Sequence, residues 1–223
     1  AAAFSMAEGF GLACTPQAKF ADVYANGQYI GNYLLSEKVE IDKNRIPITD
    51  LEKATEKVNE AKALEQAQPF MTETGRLYSV KGVQIPVDPP DITGGYLLEL
   101  ETSDRYGLET SGFMTSRMQT VVIKSPEQAS QAQASYIGLL YQDFEDAVFS
   151  EDGKNPHTVL HYTEHIDLDS FAKKYLLEEI CKNLDAAFTS QYLYKPADSV
   201  STRLFAGPAW DYDKAIAASG VTA

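Results

Sequence analysis

Two short runs near the end of the chain hold residues suited to chemistry on phosphate: Asn183-Leu184-Asp185 and Trp210-Asp211-Tyr212-Asp213. Carboxylates brought together from two elements suit one divalent cation, with a further carboxylate left to handle a proton. Phosphoryl transfer uses that set of groups. Asp185 follows the amphipathic run LEEICKNL and is expected at the end of its helix. A carboxylate there opposes the helix dipole, which favours a function over a cap. Its expected role is to accept the hydrogen bond of an attacking hydroxyl. Asp211 and Asp213 follow the apolar run FAGPAW. In an extended segment residues i and i+2 point to one side, so both carboxylates can face one ion. The same Asp-x-Asp pattern occurs in metal-dependent glycosyltransferases.

Lys124 ends the β-branched run Val121-Val122-Ile123 and precedes a helical run that carries Glu145. A Lys on a strand, steadied by a Glu on the next helix, is how kinase-type folds hold nucleotide phosphates. A surface Lys at a strand end has the same spacing. Glu37 and Lys38 compete for these two roles. His157, His161 and His165 are spaced four apart and on a helix would share a zinc-binding face. Thr158, Val159 and Thr163 between them argue against a helix there.

The chain that must position these groups has 223 residues, 44% of them hydrophobic, enough for one large domain or two small lobes sharing a cleft. Lys and Arg number 19 against 32 Asp and Glu, a net charge of -13. That surface repels nucleic acid and anionic membranes, so neither is expected as a partner. No run approaches the roughly 18 apolar residues of a membrane-spanning helix. The chain opens AAAFSMAEGFGLACTP, with no initiator Met and no leader pattern, and ends soon after the Asp pair. Both ends read as cuts in a longer protein. Cys14 and Cys181 allow one disulfide and fit equally well as two free, packed thiols.

Residues 1–13 read as the tail of a small-residue helix. Alternating residues on both sides of Asn26-Gly27 predict a hairpin whose second strand runs on through Lys38 to Lys43. The run 50–68 is rich in Glu, Lys and Ala and reads as an exposed helix or excursion. GGYLLELET and QTVVIKSP read as strands, followed by a helix over 126–149 capped by Ser125 or the Pro-Glu start, with Tyr136, Ile137, Leu140, Phe144 and Val148 on its apolar face. A second helix, capped by Asp169 or Ser170, places Phe171, Tyr175, Leu176, Ile180 and Leu184 on one buried face. SQYLYKP and TRLFAGPAW read as a hairpin leading into Asp211. The pattern is α+β.

Taken in order, NGQYIGNYLLSEKVEI, GGYLLELE, VVIKSPE, IDLDSFAKKYLLEEICKNLD, QYLYK and GPAWDYDKA resemble the CotH kinase-like family, from about Thr15 to Ala215. The resemblance implies a bilobal, protein-kinase-like fold, with a β-rich lobe over 1–155 and a helical lobe with a short hairpin over 156–223. It implies an atypical kinase that uses ATP with Mg or Mn to phosphorylate Ser or Thr hydroxyls of a secreted, spore-surface or cell-surface protein. By position, Asp185 matches the catalytic Asp and Asp211 the metal-binding Asp, with Asp213 beside it. Lys124 matches the phosphate-binding Lys, with Glu145 or Glu37 as its acidic neighbour. Kinases commonly place an Asn, as second metal ligand, five residues after the catalytic Asp; here that position is Ser190, followed by Gln191. The departure keeps open a catalytically silent binding module, beside the glycosyltransferase alternative.

Overall fold

Positive φ at consecutive residues, Asn26 (50°) and Gly27 (79°), turns the chain back on itself and makes the expected first hairpin. The computed structural model describes residues 1–215; the run 216–223, where one cut was expected, lies outside them. A short helix, α1 (Ala2–Gly9), precedes the hairpin strands β1 (Ala18–Ala25) and β2 (Gln28–Ser36). The two strands pair only with each other and expose most residues on both faces. β2 stops at Ser36; residues 38–43 are not its continuation, because the chain there folds over onto a second sheet.

That second sheet holds seven antiparallel strands. They are β3 (Pro69–Thr72), β4 (Ser79–Val83), β5 (Tyr96–Leu100), β6 (Gly112–Met114), β7 (Thr120–Ser125), β8 (Gln191–Lys195) and β9 (Phe205–Ala206). Their order is β3-β4-β6-β7-β5-β8-β9. The fold is α+β. β8 and β9 are the expected hairpin, and they extend the sheet begun by the earlier strands.

Strand alternation gives the sheet two different faces. Tyr96, Leu98, Val121, Ile123 and Leu193 point into the main core with Val80 and Phe113. Helix α5 (Gln131–Val148) covers that face with Ala134, Ile137 and Tyr141. It starts at Gln131, not after Ser125, because Ser130 and Gln133 form a reciprocal capping box. The other face carries Leu97, Tyr192 and Tyr194, with Val39, Ile41, Ile46 and Ile48 packed on them.

The run 50–68 is helical and mostly exposed, as the first of its two readings expects, and is not an excursion. It forms α2 (Leu51–Val58) and α3 (Ala61–Glu65), and α2 buries Leu51 and Thr55. Gln133 ties α2 to α5 by donating from Nε2 to the Thr55 hydroxyl at 3.0 Å. Short helices α4 (Ser103–Leu108) and α6 (Tyr162–His165) follow, and then α7 (Leu168–Cys181), capped by Asp167 rather than Asp169 or Ser170. The three histidines do not share a helix: His161 caps α6 and His165 ends it.

The buried face of α7 is Ser170, Lys174, Leu177 and Cys181, while Tyr175, Leu176, Ile180 and Leu184 are exposed and Phe171 packs at the margin of the main core. The larger apolar side chains lose that position because small partners, Ala3 and Ala7 of α1, approach α7 there. Cys14 and Cys181 are both free thiols. No helix among the described residues is long and apolar enough to cross a membrane.

Gln133→Ala removes both the capping-box bond to Ser130 and the bond to Thr55, leaving buried polar groups unpaired. The expected loss is about 2–3 kcal/mol, read as a lower urea midpoint at unchanged slope. A variant within about 0.5 kcal/mol of wild type contradicts this account of the α2–α5 junction.

Candidate functional site

Lys124 owes its position to an irregularity in β-pairing. Leu97 of β5 pairs with Ser125 of β7, yet Leu98 pairs with Ile123, so Lys124 is the extra residue of a bulge. A bulge re-aims the side chain it carries. The Lys124 ammonium lies 3.0 Å from Glu109 Oε1 and 3.7 Å from Glu99 Oε2. Burial pulls that ammonium down, but Glu109, then Glu99 and Glu101, outweigh burial and hold it above its ordinary value. Glu109 is fixed in turn by Lys81 of β4, which donates to the Glu109 carbonyl at 2.7 Å and stands over the Tyr106 ring.

Neither expected acidic neighbour fills that role. Glu145 belongs to α5, on the sheet face away from Glu99 and Lys124. It accepts from the Thr115 hydroxyl at 2.9 Å and pairs with Arg117 at 3.3 Å. Glu37 accepts from the Gln17 amide at 2.9 Å and closes the base of the first hairpin.

Lys124 opens onto a cleft of about 580 Å³ between the sheet, the segment 38–41 and α2. Its lining holds Lys38, Lys53 and Lys124 against Glu40, Asp50, Glu52, Glu56, Glu109 and Glu127. Burial, then Glu127, Asp50 and Glu56, push the Glu52 carboxyl above its usual range, although the Glu127 amide pulls it down. Tyr192, paired across strands with Glu99, also lines the cleft. Burial, then Glu99, Glu101 and Asp211, hold its phenol far above the usual tyrosine range.

Asp211 and Ser190 are brought together: the Ser190 hydroxyl donates to Asp211 Oδ2 at 3.1 Å. Both have left-handed backbones, with φ of 56° and 58°. Such positions cost free energy and concentrate at functional sites. The same φ breaks the extended geometry that the Asp211/Asp213 pairing required, and Asp213 is exposed. Asp185 does not end α7. Lys182 terminates that helix in the left-handed region, and Asp185 lies in the one-turn 3₁₀ helix Leu184–Ala187, capped by Asn183. Asp185 therefore does not oppose the dipole of α7. Asp185 pairs with Lys214 at 3.3 Å, and its carbonyl accepts from the amides of Phe188 and Thr189. Thr189 reaches the first group, donating to Glu101 Oε2 at 2.8 Å.

Sequence reasoning missed Glu99, Glu101, Glu109 and Lys81. The alternation Leu97, Glu99, Glu101 was the available signal for the first two, since it sets carboxylates along one strand face. Glu109 and Lys81 meet Lys124 only through the pairings of β4, β6 and β7. Of the expected site residues, Lys124 lines the cleft, whereas Asp185, Ser190 and Asp211 are not among its lining residues; Ser190 and Asp211 share a hydrogen bond and Asp185 pairs with Lys214.

A family model described as CotH kinase protein matches residues 1–221. No curated protein and no solved structure matches the chain.

Burial pushes the Glu99 carboxyl above its ordinary value of 4.5, with Tyr192 and Lys124 only partly offsetting it. The folded state then binds the proton more tightly than the unfolded chain, so ionised Glu99 weakens the fold at neutral pH. That penalty fades as pH falls through the raised value. Glu99→Gln is therefore expected to be more stable than wild type at pH 7, with the gap closing as pH falls toward 4.5. Thermal unfolding at the two pH values measures this; a variant less stable at pH 7 shows that the Lys124 pairing outweighs burial.

Proposed function

The chain belongs to the CotH kinase protein family, and from that premise we propose that it is a bilobal, protein-kinase-like domain. In this reading it transfers the terminal phosphoryl group of ATP to a Ser or Thr hydroxyl of a secreted or surface protein. The observation that carries the reading is Lys124, a bulge residue held by Glu109 and Glu99 at the wall of a cleft. A strand-borne ammonium steadied by carboxylates is the part that grips nucleotide phosphates in kinases. Its partner here comes from a loop and a neighbouring strand rather than from the next helix.

Asp211 and the Ser190 hydroxyl are the residues that would hold a divalent cation. Mg²⁺ takes one or two protein carboxylates and completes its shell with phosphate oxygens and water. Among the described residues no three His, Cys, Asp or Glu side chains gather around one point. Asp211 with Ser190 suits the Mg²⁺ pattern, and a closed protein cage does not. When bound, Mg²⁺ or Mn²⁺ supplies neutralisation of the phosphate charge. The cleft supports this reading: its six carboxylates outnumber its three lysines and would disfavour nucleotide arriving without a cation. Asp185 accepts the hydrogen bond of the attacking hydroxyl and takes its proton as the phosphorus–oxygen bond forms. Lys124 keeps the phosphates in register while the bond to the leaving diphosphate breaks.

A catalytically silent binding module is the second reading. It is favoured by the ion pair that occupies Asp185, with Lys214, and by Ser190 where kinases commonly place Asn. A glycosyltransferase loses support, because Asp211 and Asp213 do not lie in one extended segment.

Radiolabel transfer from ATP to a Ser-rich acceptor, run beside nucleotide-binding measurements, separates these readings. Asp185→Asn is expected to bind ATP normally and to transfer about 10²–10⁴-fold more slowly. Asp211→Asn is expected to lose transfer and metal-dependent binding together. Wild type that binds ATP and transfers nothing supports the silent module. An Asp185→Asn variant as active as wild type removes Asp185 from the mechanism.

A further inference from the structure

Lys174 is only 5% exposed, although it is a lysine in the middle of α7. A buried ammonium must be paired and hydrogen-bonded, and its partners show what it organises. It forms an ion pair with Glu178, one turn on. It donates to Gln191 Oε1 at 2.7 Å and lies 3.3 Å from the Tyr212 hydroxyl. The Tyr212 hydroxyl donates to Glu178 Oε1 at 2.7 Å, and Asn183 donates from Nδ2 to Glu178 Oε2 at 2.9 Å. One buried pair thus holds side chains from three separate segments.

Each held residue stands next to a member of the candidate site. Gln191 follows Ser190, Tyr212 follows Asp211, and Asn183 accepts from the Asp185 amide at 3.3 Å. Left-handed backbones at Ser190 and Asp211 separate the directions of these neighbours. Gln191 and Tyr212 turn toward Lys174, while Ser190 and Asp211 turn toward each other. An apolar side chain at 174 would bury as well but could not fix three polar segments at once.

We infer that the Lys174–Glu178 pair is a positioning device for the candidate site, holding Asp185, Ser190 and Asp211 in register through Asn183, Gln191 and Tyr212. The inference rests on the phosphotransfer reading for its consequence in rate, but not for its consequence in structure. Neither residue is assigned contact with substrate.

Lys174→Met alone strands a buried carboxylate and is expected to fold poorly. The informative variant is the double Lys174→Met/Glu178→Met, which removes both charges at similar volume, with Tyr212→Phe as a milder one that deletes a single hydroxyl. The double variant is expected to keep the wild-type circular dichroism spectrum, and its Mg²⁺-dependent ATP binding is expected to weaken as Ser190 and Asp211 loosen, although Lys124 and its cleft are untouched. Its kcat is expected to fall about 10²-fold, the size of effect that loss of register produces. Tyr212→Phe should fall between, and Glu178→Gln, whose one amide oxygen can replace the acceptor for Tyr212 but not also the one for Asn183, should recover only part of the rate. Amide hydrogen exchange should accelerate together at 183–191 and 210–213.

A folded double variant with wild-type kcat overturns the inference, as does faster exchange confined to α7. If wild type transfers no phosphate, the catalytic reading fails on its own. The exchange measurement then decides: joint loosening of the two segments upholds the positioning role, and its absence ends it.

Discussion

An antiparallel sheet sealed on one face by α5 and only partly roofed on the other is the constraint from which the candidate site follows. α5 seals one face with Ile137 and Tyr141 against Leu98, Ile123 and Leu193. Once that face is closed, every second residue of the central strands must point to the other side. There Glu99, Lys124 and Tyr192 meet, and the segment 38–48 roofs only part of them. A regular β5–β7 pairing would have set Lys124 opposite a fixed partner. The bulge frees it to lean between Glu99 and Glu109 at the cleft wall.

Much of this was legible in the chain. Asn26-Gly27 announced its hairpin because both residues tolerate positive φ, and Val121-Val122-Ile123 announced a buried strand. The alternation in YLLELE already encoded the two faces. Lys124, Asp211 and Ser190 were singled out as site candidates by residue type and order, and in the structure Lys124 meets Glu109 while Ser190 meets Asp211. What stayed illegible depended on tertiary pairing. Glu145 lies on the helix expected to supply the partner of Lys124, but helical position does not reveal which sheet face the helix covers. The face of α7 was misassigned for a related reason. Tyr175, Leu176 and Ile180 are the more apolar residues, yet the neighbours that α7 meets are the alanines of α1 and a polar network around Lys174. Side-chain hydrophobicity cannot anticipate a buried lysine.

Two charge clusters divide the work. Around the cleft, carboxylates exceed lysines, which disfavours any anion that arrives without a compensating cation. Around Lys174, charge is balanced and dry, and its effect is to fix geometry rather than to bind.

The proposal's central claim is that this acidic cleft accepts nucleotide only together with a divalent cation. Isothermal titration of ATP into the wild-type protein, with Mg²⁺ or Mn²⁺ and then in excess chelator, tests it most directly. The account predicts one saturable site in the presence of metal, weakened by Lys124→Ala, and no measurable binding in chelator. Equal binding with and without metal, or a sugar nucleotide binding where ATP does not, would contradict it.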